Sequence, residues 1–186
     1  MVEKYVTGGH IKGVDLNGDN MLYWNNKSIE VLNITKEERL KIKTISSIAQ
    51  KPVKCMFAGK DSLVITTDFG FNYLSLSGQV KQSLTFPESE GKVIGIDILG
   101  THLVMWTQSS YIRVFSVTSD IRQVGQSRRF EDSKGLIGHI RSCSINSTGK
   151  KIGIVSNKAT NSGSTVNHSF HIFDTETDSF TSHDLG

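Results

Sequence analysis

A short stretch near the N-terminus carries residue types that bind metal ions. Residues 15–20, Asp-Leu-Asn-Gly-Asp-Asn, place oxygen ligands at alternate positions, as a calcium-binding loop does. Such a loop also needs glycine at its sixth position and a bidentate acid at its twelfth, where this chain has Asn20 and Asn26. Because Asp-Asn-Gly clusters are ordinary turn chemistry, the stretch predicts a turn and no metal site.

Histidine, serine and aspartate near the C-terminus are the residue types of acid–base and nucleophilic chemistry. His139 and Asp174 are one such pair, but a hydrolase triad is defined by geometry, which a sequence does not provide. The sequence contains no Gly-x-Ser-x-Gly elbow, no Gly-Lys-Ser or Gly-Lys-Thr phosphate loop and no His-Glu-x-x-His motif. We therefore interpret His139 and Asp174 as structural residues and predict no catalytic residue and no cofactor.

Arginine side chains offer a third chemistry, contact with an anionic surface. The net charge is only +3, and acidic residues interleave with the densest basic cluster, which consists of Arg122, Arg128, Arg129, Lys134 and Arg141. A solvated outer strand is the simpler interpretation of this pattern. No stacking platform or basic stripe indicates a nucleic-acid partner.

Four glycines indicate a repeat of strands and turns that would position the residues named above. Gly18, Gly59, Gly100 and Gly149 each lie in a polar turn between two apolar runs, at spacings of 41, 41 and 49 residues. Tight hairpin turns favour glycine because it adopts positive φ without strain. A period of roughly 40 to 45 residues built of short strands is typical of one propeller blade.

Alignment on the turn glycines predicts three strands in every module. Alternating apolar residues precede each glycine, a nearly continuous apolar run follows it, and a third apolar run follows a second turn. The last module holds extra residues at 158–167, which we predict to form a mobile loop on one rim. Residues 36–48 give a mixed signal, since Leu40 and Ile42 fit a strand while Ile45 and Ile48 fit a helix. We interpret most of this segment as the outer strand of the next blade.

The repeat predicts an all-β fold, a partial β-propeller over residues 1–186 with about four four-stranded antiparallel blades. The predicted blades span approximately residues 9–35, 44–76, 79–117 and 122–175, and residues 179–185 start the next one. Since propellers close with about four to eight blades, and seven is common for this repeat, we expect a fragment of a larger ring.

Composition is that of an ordinary soluble globular chain, with 186 residues, 37% hydrophobic and 21% charged. The apolar runs are too short to span a membrane, and residues 1–10 lack the apolar core of a signal peptide. Cys55 and Cys143 lie in first strands of non-adjacent modules, so we expect unbridged core thiols in a reducing compartment.

The last module resembles the WD40 repeat pattern, because it begins with Gly138-His139 and its third strand ends in an aromatic residue and Asp174. In that family a histidine, a second-strand Ser or Thr, an aspartate and a tryptophan form a structural hydrogen-bond network. The resemblance assigns His139 and Ser156 to such a network in the last module, and Thr67 and Asp68 in the second. It implies a WD40-type propeller.

Three longer segments resemble one family more specifically. Residues 78–104, 139–158 and 172–178 are similar to the late part of the first propeller region in the 140-kDa subunit family of intraflagellar transport complex A. The resemblance implies a non-catalytic scaffold for retrograde ciliary transport. Its partners would be the other complex A subunits and ciliary cargo, with only indirect membrane contact. Its location would be the cytoplasm and the cilium, including the axoneme and basal body.

Two alternatives stay open. One is a generic WD40 trafficking scaffold. The other is a propeller that binds anionic phosphoinositide membranes through Arg128 and Arg129, which resemble the paired arginines of lipid-binding propellers. In those proteins Phe precedes the arginines and Gly follows, whereas here Ser127 precedes them and Phe130 follows.

Overall fold

The computed structural model describes residues 10–26, 28–34, 38–42, 52–132, 135–159 and 166–184. Four four-stranded antiparallel sheets follow one another along the chain, and we call them blades 1 to 4. Blade 1 comprises β1 (Gly13–Asn17), β2 (Asn20–Trp24), β3 (Ile29–Asn33) and β4 (Glu38–Ile42). Blade 2 comprises β5 (Cys55–Phe57), β6 (Ser62–Thr67), β7 (Gly70–Ser75) and β8 (Val80–Thr85).

The second half of the chain repeats this arrangement after a short 3-10 turn at Glu88–Glu90. Blade 3 comprises β9 (Val93–Leu99), β10 (His102–Thr107), β11 (Tyr111–Val117) and β12 (Ile121–Arg129). A two-stranded ribbon, β13 (Glu131–Asp132) and β14 (Gly135–Leu136), follows it. Blade 4 comprises β15 (His139–Ile145), β16 (Lys151–Ala159), β17 (Val166–Asp174) and β18 (Ser179–Asp184). The predicted all-β fold with four four-stranded blades is confirmed.

The outer strands correct the predicted blade boundaries. Each of β4, β8, β12 and β18 pairs with the strand immediately before it, as Ile42 does with Ile29. The sequence-based assignment of these segments to the following blade is therefore wrong. A short turn after the third strand returns the chain along the same sheet, which favours the local hairpin. Residues 43–51, with Ile45 and Ile48, lie outside the described residues.

Each blade packs face to face on the next through an apolar cluster, the usual way in which stacked sheets bury their faces. Blades 1 and 2 share Leu22, Trp24, Ile29, Val31, Cys55, Phe57, Leu63, Ile65 and Leu74. Blades 2 and 3 share a cluster that includes Met56, Val64, Phe71, Tyr73, Ile96, Leu103, Met105 and Phe115. Blades 3 and 4 share a cluster that includes Val104, Trp106, Ile112, Cys143, Ile152, Ile154 and Phe173.

Both cysteines lie in these clusters as free thiols, as expected from the sequence. Burial raises the pKa of each thiol far above its usual range, because a thiolate is poorly solvated among apolar side chains. Neither cysteine is therefore a nucleophile at neutral pH.

The turn glycines have φ values of 56° at Gly18, 76° at Gly59, 61° at Gly100 and 73° at Gly149. Gly149 meets a second constraint, because a Cβ atom there would lie 2.2 Å from Cδ2 of His102 in blade 3. Gly59 has no atom within 4 Å of the equivalent point. A side chain at Gly149 would therefore clash with the neighbouring blade, whereas a side chain at Gly59 would meet open space.

The predicted mobile loop of the last module is partly regular structure. β16 and β17 remain paired out to Ala159 and Val166, so residues 158, 159, 166 and 167 extend a hairpin. Residues 160–165 lie outside the described part of the chain. Among the described residues, no helix has the length and apolarity needed to cross a bilayer.

Candidate functional site

Ser156 and His139, which the WD40 resemblance paired, do not bond to each other. Ser156 Oγ lies 2.9 Å from Nε2 of His171, and His139 is exposed. A β-bulge between Ile140 and Ser142 sets the register so that His139 faces Asn157, one residue beyond Ser156. Because neighbouring residues of a strand point to opposite faces, a one-residue offset is enough to separate the pair. His139 is therefore not the partner of Ser156, and the buried histidine bonded to Ser156 is His171.

His171 forms a polar chain across three strands of blade 4. Its Nδ1 lies 2.7 Å from Ser182 Oγ on β18, its Nε2 contacts Ser156 on β16, and Phe130 packs edge-on at 4.8 Å. Ser156 and His171 are each only 2% exposed. A dissolved substrate therefore has no access to them, and the chain holds the sheet together.

Thr67 is the last residue of the second strand of blade 2 and Asp68 follows it in the turn, and both are half-buried. Asp68 Oδ2 pairs with Lys92 Nζ at 2.9 Å, and its backbone carbonyl accepts a hydrogen bond from Val93 N at 2.8 Å. Both contacts tie this turn to the entry of blade 3.

The seventh position after each turn glycine holds a buried polar residue, and of the four only Ser156 was singled out from the sequence. These residues are Asn25, Thr66, Thr107 and Ser156, with exposures of 5%, 0%, 2% and 2%. Thr66 Oγ1 accepts hydrogen bonds from the backbone N of Val53 and Lys54 at 3.0 and 2.9 Å. Thr107 Oγ1 donates to the carbonyl of Glu90. These residues directly follow the apolar run after each turn glycine, so their position relative to the glycines was a usable sequence signal.

Two aspartates on first strands clamp adjacent blades. Asp15 Oδ2 accepts a hydrogen bond from the backbone N of Phe57 in blade 2 at 2.8 Å. Asp97 Oδ2 accepts from the backbone N of Ile145 at 3.0 Å and from Ser144 Oγ at 2.9 Å in blade 4. Each lies three residues before its turn glycine, and that shared spacing was a usable sequence signal.

Residues 15–20, which resemble a calcium-binding loop, also connect adjacent blades. Asp15 bonds blade 2 as described, and Asn17 Nδ2 donates to the carbonyl of Gly59 at 2.7 Å. In the described ranges, no three His, Cys, Asp or Glu side chains are grouped to hold a metal ion.

Arg128 and Arg129 are already paired with acids. Arg128 Nη2 lies 2.5 Å from Asp178 Oδ2 of blade 4, and Arg129 Nη1 lies 3.4 Å from Glu131 Oε2. The Arg129 guanidinium also lies 6.0 Å from the ring centre of Tyr111. Both guanidinium groups therefore already have an anionic partner, with which an anionic ligand would compete. Lys134 lies outside the described residues.

Taken together, the polar residues singled out by the sequence serve packing between strands and blades.

Known proteins share the family pattern and the fold of this chain. The family model described as the IFT140 second beta-propeller matches residues 3–186. One chain in a structure of S. cerevisiae Dbp5 with Nup159, Gle1, IP6 and ADP matches with a TM-score of 0.67 and 12% identity, over 94% of this chain and 47% of that one. The N-terminal domain of Nup159 matches with a TM-score of 0.63 and 11% identity, over 94% and 47%.

A chain of Kuenenia stuttgartiensis hydrazine synthase matches with a TM-score of 0.60 and 14% identity, over 92% of this chain and 53% of that one. At such identities these structures share only the fold. The chain spans about half the length of the solved structures that it matches.

The family match corrects one detail of the sequence analysis, which placed the resemblance in the first propeller region, whereas the matching model is that of the second. Strand-and-turn segments recur in every blade of such proteins, so short similar segments do not distinguish one propeller from another.

Proposed function

Because the chain belongs to the IFT140 second beta-propeller family, we propose that it is a non-catalytic scaffold of intraflagellar transport complex A. In this proposal its propeller acts through protein–protein contacts in retrograde ciliary transport. The single observation that carries the proposal is the family match, which extends over residues 3–186.

The site geometry supports a scaffold for a physical reason. Several side chains suited to chemistry are engaged in structural contacts: His171 bonds two serines, and Asp15 and Asp97 clamp neighbouring blades. Burial raises the pKa of both thiols. Propellers of this kind present extended rims and blade edges, which suit binding of several partners.

The proposed partners are the other subunits of complex A and ciliary cargo, and the proposed location is the cytoplasm and the cilium. Membrane proteins would be carried through these subunits, so that membrane contact is indirect. The paired state of Arg128 and Arg129 gives no specific reason to favour direct lipid binding.

Isolation of the full-length protein from ciliated cells tests the proposal. We expect the complex A subunits to co-purify in stoichiometric amounts, and the labelled protein to move toward the ciliary base together with a labelled subunit. A protein that purifies without these companions and stays outside the cilium would contradict the proposal. Turnover of an ester, phosphate or glycoside substrate that is lost in His171→Ala would contradict the non-catalytic assignment.

A further inference from the structure

A groove crosses the end of the blades where the glycine turns lie. Its inner half is lined by the apolar side chains of Leu16, Met56, Phe57, Ile98 and Leu99, from three successive blades, and by Asp15. Asn17 and Lys60 line both this half and an adjoining outer half. The outer half is polar and contains Asp19 and Asp61.

The blade 3 side of the apolar half is exposed although blade 3 has a neighbouring blade on each face. Leu99 is 48% exposed, yet it lies in blade 3, which has blade 2 on one face and blade 4 on the other. Its exposure therefore does not arise from a bare sheet face. Leu16, across the groove, is 64% exposed. Large apolar side chains that stay exposed around a groove are typical of a binding surface.

The outer half carries carboxylates that are not engaged in ion pairs with other described residues. Six other half-buried or exposed acids have ion-pair partners, namely Asp68, Asp120, Glu131, Asp174, Glu176 and Asp178. Among the described residues, Asp19 and Asp61 have no ion-pair partner, and both are exposed. Two unpaired carboxylates beside one lysine give this half a negative potential that a cationic group would complement.

We propose that this groove binds an extended segment of a partner protein that carries a large apolar side chain and, close to it, a lysine or arginine. The apolar side chain enters the inner half against Leu16, Met56 and Leu99. The cationic side chain pairs with Asp19 and Asp61. The inference rests on the proposed scaffold function and specifies one of its contact surfaces.

The test is a selection of random peptides of about a dozen residues, displayed on phage, against the immobilised full-length protein. We expect enriched peptides to combine a large apolar residue with a nearby Lys or Arg. Binding of an enriched peptide should fall about tenfold or more when Asp19→Lys and Asp61→Lys are combined, and also in Leu99→Ser.

Two variants provide matched controls. Glu88→Lys reverses another exposed acid without an ion pair, and Val80→Ser removes an apolar side chain that is 48% exposed, the same fraction as Leu99. Both should bind the enriched peptides as the natural protein does. Amide hydrogen exchange of β1, β6 and β9 should be unchanged in all variants, which separates lost binding from lost folding.

Three results would overturn the inference: no common pattern among the enriched peptides, an acidic pattern, or equal binding to the Asp19→Lys/Asp61→Lys variant. The scaffold function would survive any of these if the complex A subunits still co-purify. Conversely, peptides that bind as expected to a protein without those companions would support the groove and contradict the transport role.

Discussion

The guanidinium of Arg113 holds the carboxylate of Glu90 at two points, Nε to Oε2 at 2.9 Å and Nη2 to Oε1 at 2.6 Å. Each side chain is only 11% exposed. Ser127 Oγ donates to the same carboxylate at 3.1 Å, and the guanidinium lies 4.3 Å from the ring centre of Phe86. Because Glu90 precedes blade 3 and Arg113 lies on β11, the pair fixes the linker from blade 2 onto blade 3.

Glu90→Ala should destabilise blade 3 by about 3 kcal/mol, because removal of one partner leaves the Arg113 charge buried and unpaired. Amide hydrogen exchange of β11 and β12 in the full-length protein measures the opening free energy. Lys92→Ala, which breaks the exposed pair with Asp68, should cost less than about 1 kcal/mol. Equal effects of the two variants would contradict the structural role of the buried pair.

Asp97→Ala should lower the free energy of local opening between blades 3 and 4 by about 1–2 kcal/mol, since the backbone N of Ile145 loses its acceptor. Exchange should rise first in β15. Ser144→Ala, which removes only the hydroxyl bond to the same carboxylate, is the control and should have a smaller effect. A uniform rise in exchange over all blades would show that Asp97 does not act as a local clamp.

Gly149→Ala should reduce stability more than Gly59→Ala, although both glycines have positive φ. We expect about 1–2 kcal/mol for Gly59→Ala from backbone strain alone, and a further cost of about 1–3 kcal/mol at Gly149 from the clash with His102. Local opening free energies from hydrogen exchange provide the comparison. Combination with His102→Ala should recover part of the extra cost, and strictly additive effects would refute the contact.

The turn between β17 and β18 should become less stable at low pH, because protonation of Asp174 weakens the hydrogen bonds that hold it. A hydrogen bond from Lys151, together with the backbone N–H groups of Thr177 and Glu176, lowers the pKa of this carboxyl to about 2. Because the folded pKa is depressed, the stabilisation is complete above the usual value of about 3.9 and is lost as the pH falls toward 2.

Amide exchange of residues 176 and 177, corrected for intrinsic rates, checks this expectation. Protection should decline across that pH window. Asp174→Asn keeps a side-chain acceptor but cannot titrate, so its profile should be flat. A decline in the Asp174→Asn variant equal to that of the natural protein would assign the effect to another group.

The sequence was sufficient for those parts of the fold that depend on local physics. The turns at Gly18, Gly59, Gly100 and Gly149 and the apolar runs around them identified four repeating units, because turn geometry and burial act within a few residues. Assignment of the outer strands failed because the sequence indicates a strand without indicating its partner.

Polar contacts were harder to predict because they depend on register. Ser156 meets His171 because of the pairing between β16 and β17, while the bulge in β15 offsets His139. Arg113 and Glu90 are 23 positions apart, and nothing in their spacing indicates contact. Asp15 and Asp97 were within reach of the sequence analysis, since both precede a turn glycine by three residues.

Each blade consists of four strands that follow one another directly along the chain. No sheet in the described ranges must wait for a distant segment to supply a missing strand, which keeps loop-closure distances short. During translation, a blade can therefore close as soon as its fourth strand leaves the ribosome, and it then offers its apolar face as a template for the next blade. Synthesis from the N-terminus would assemble the array in order, one sheet upon another.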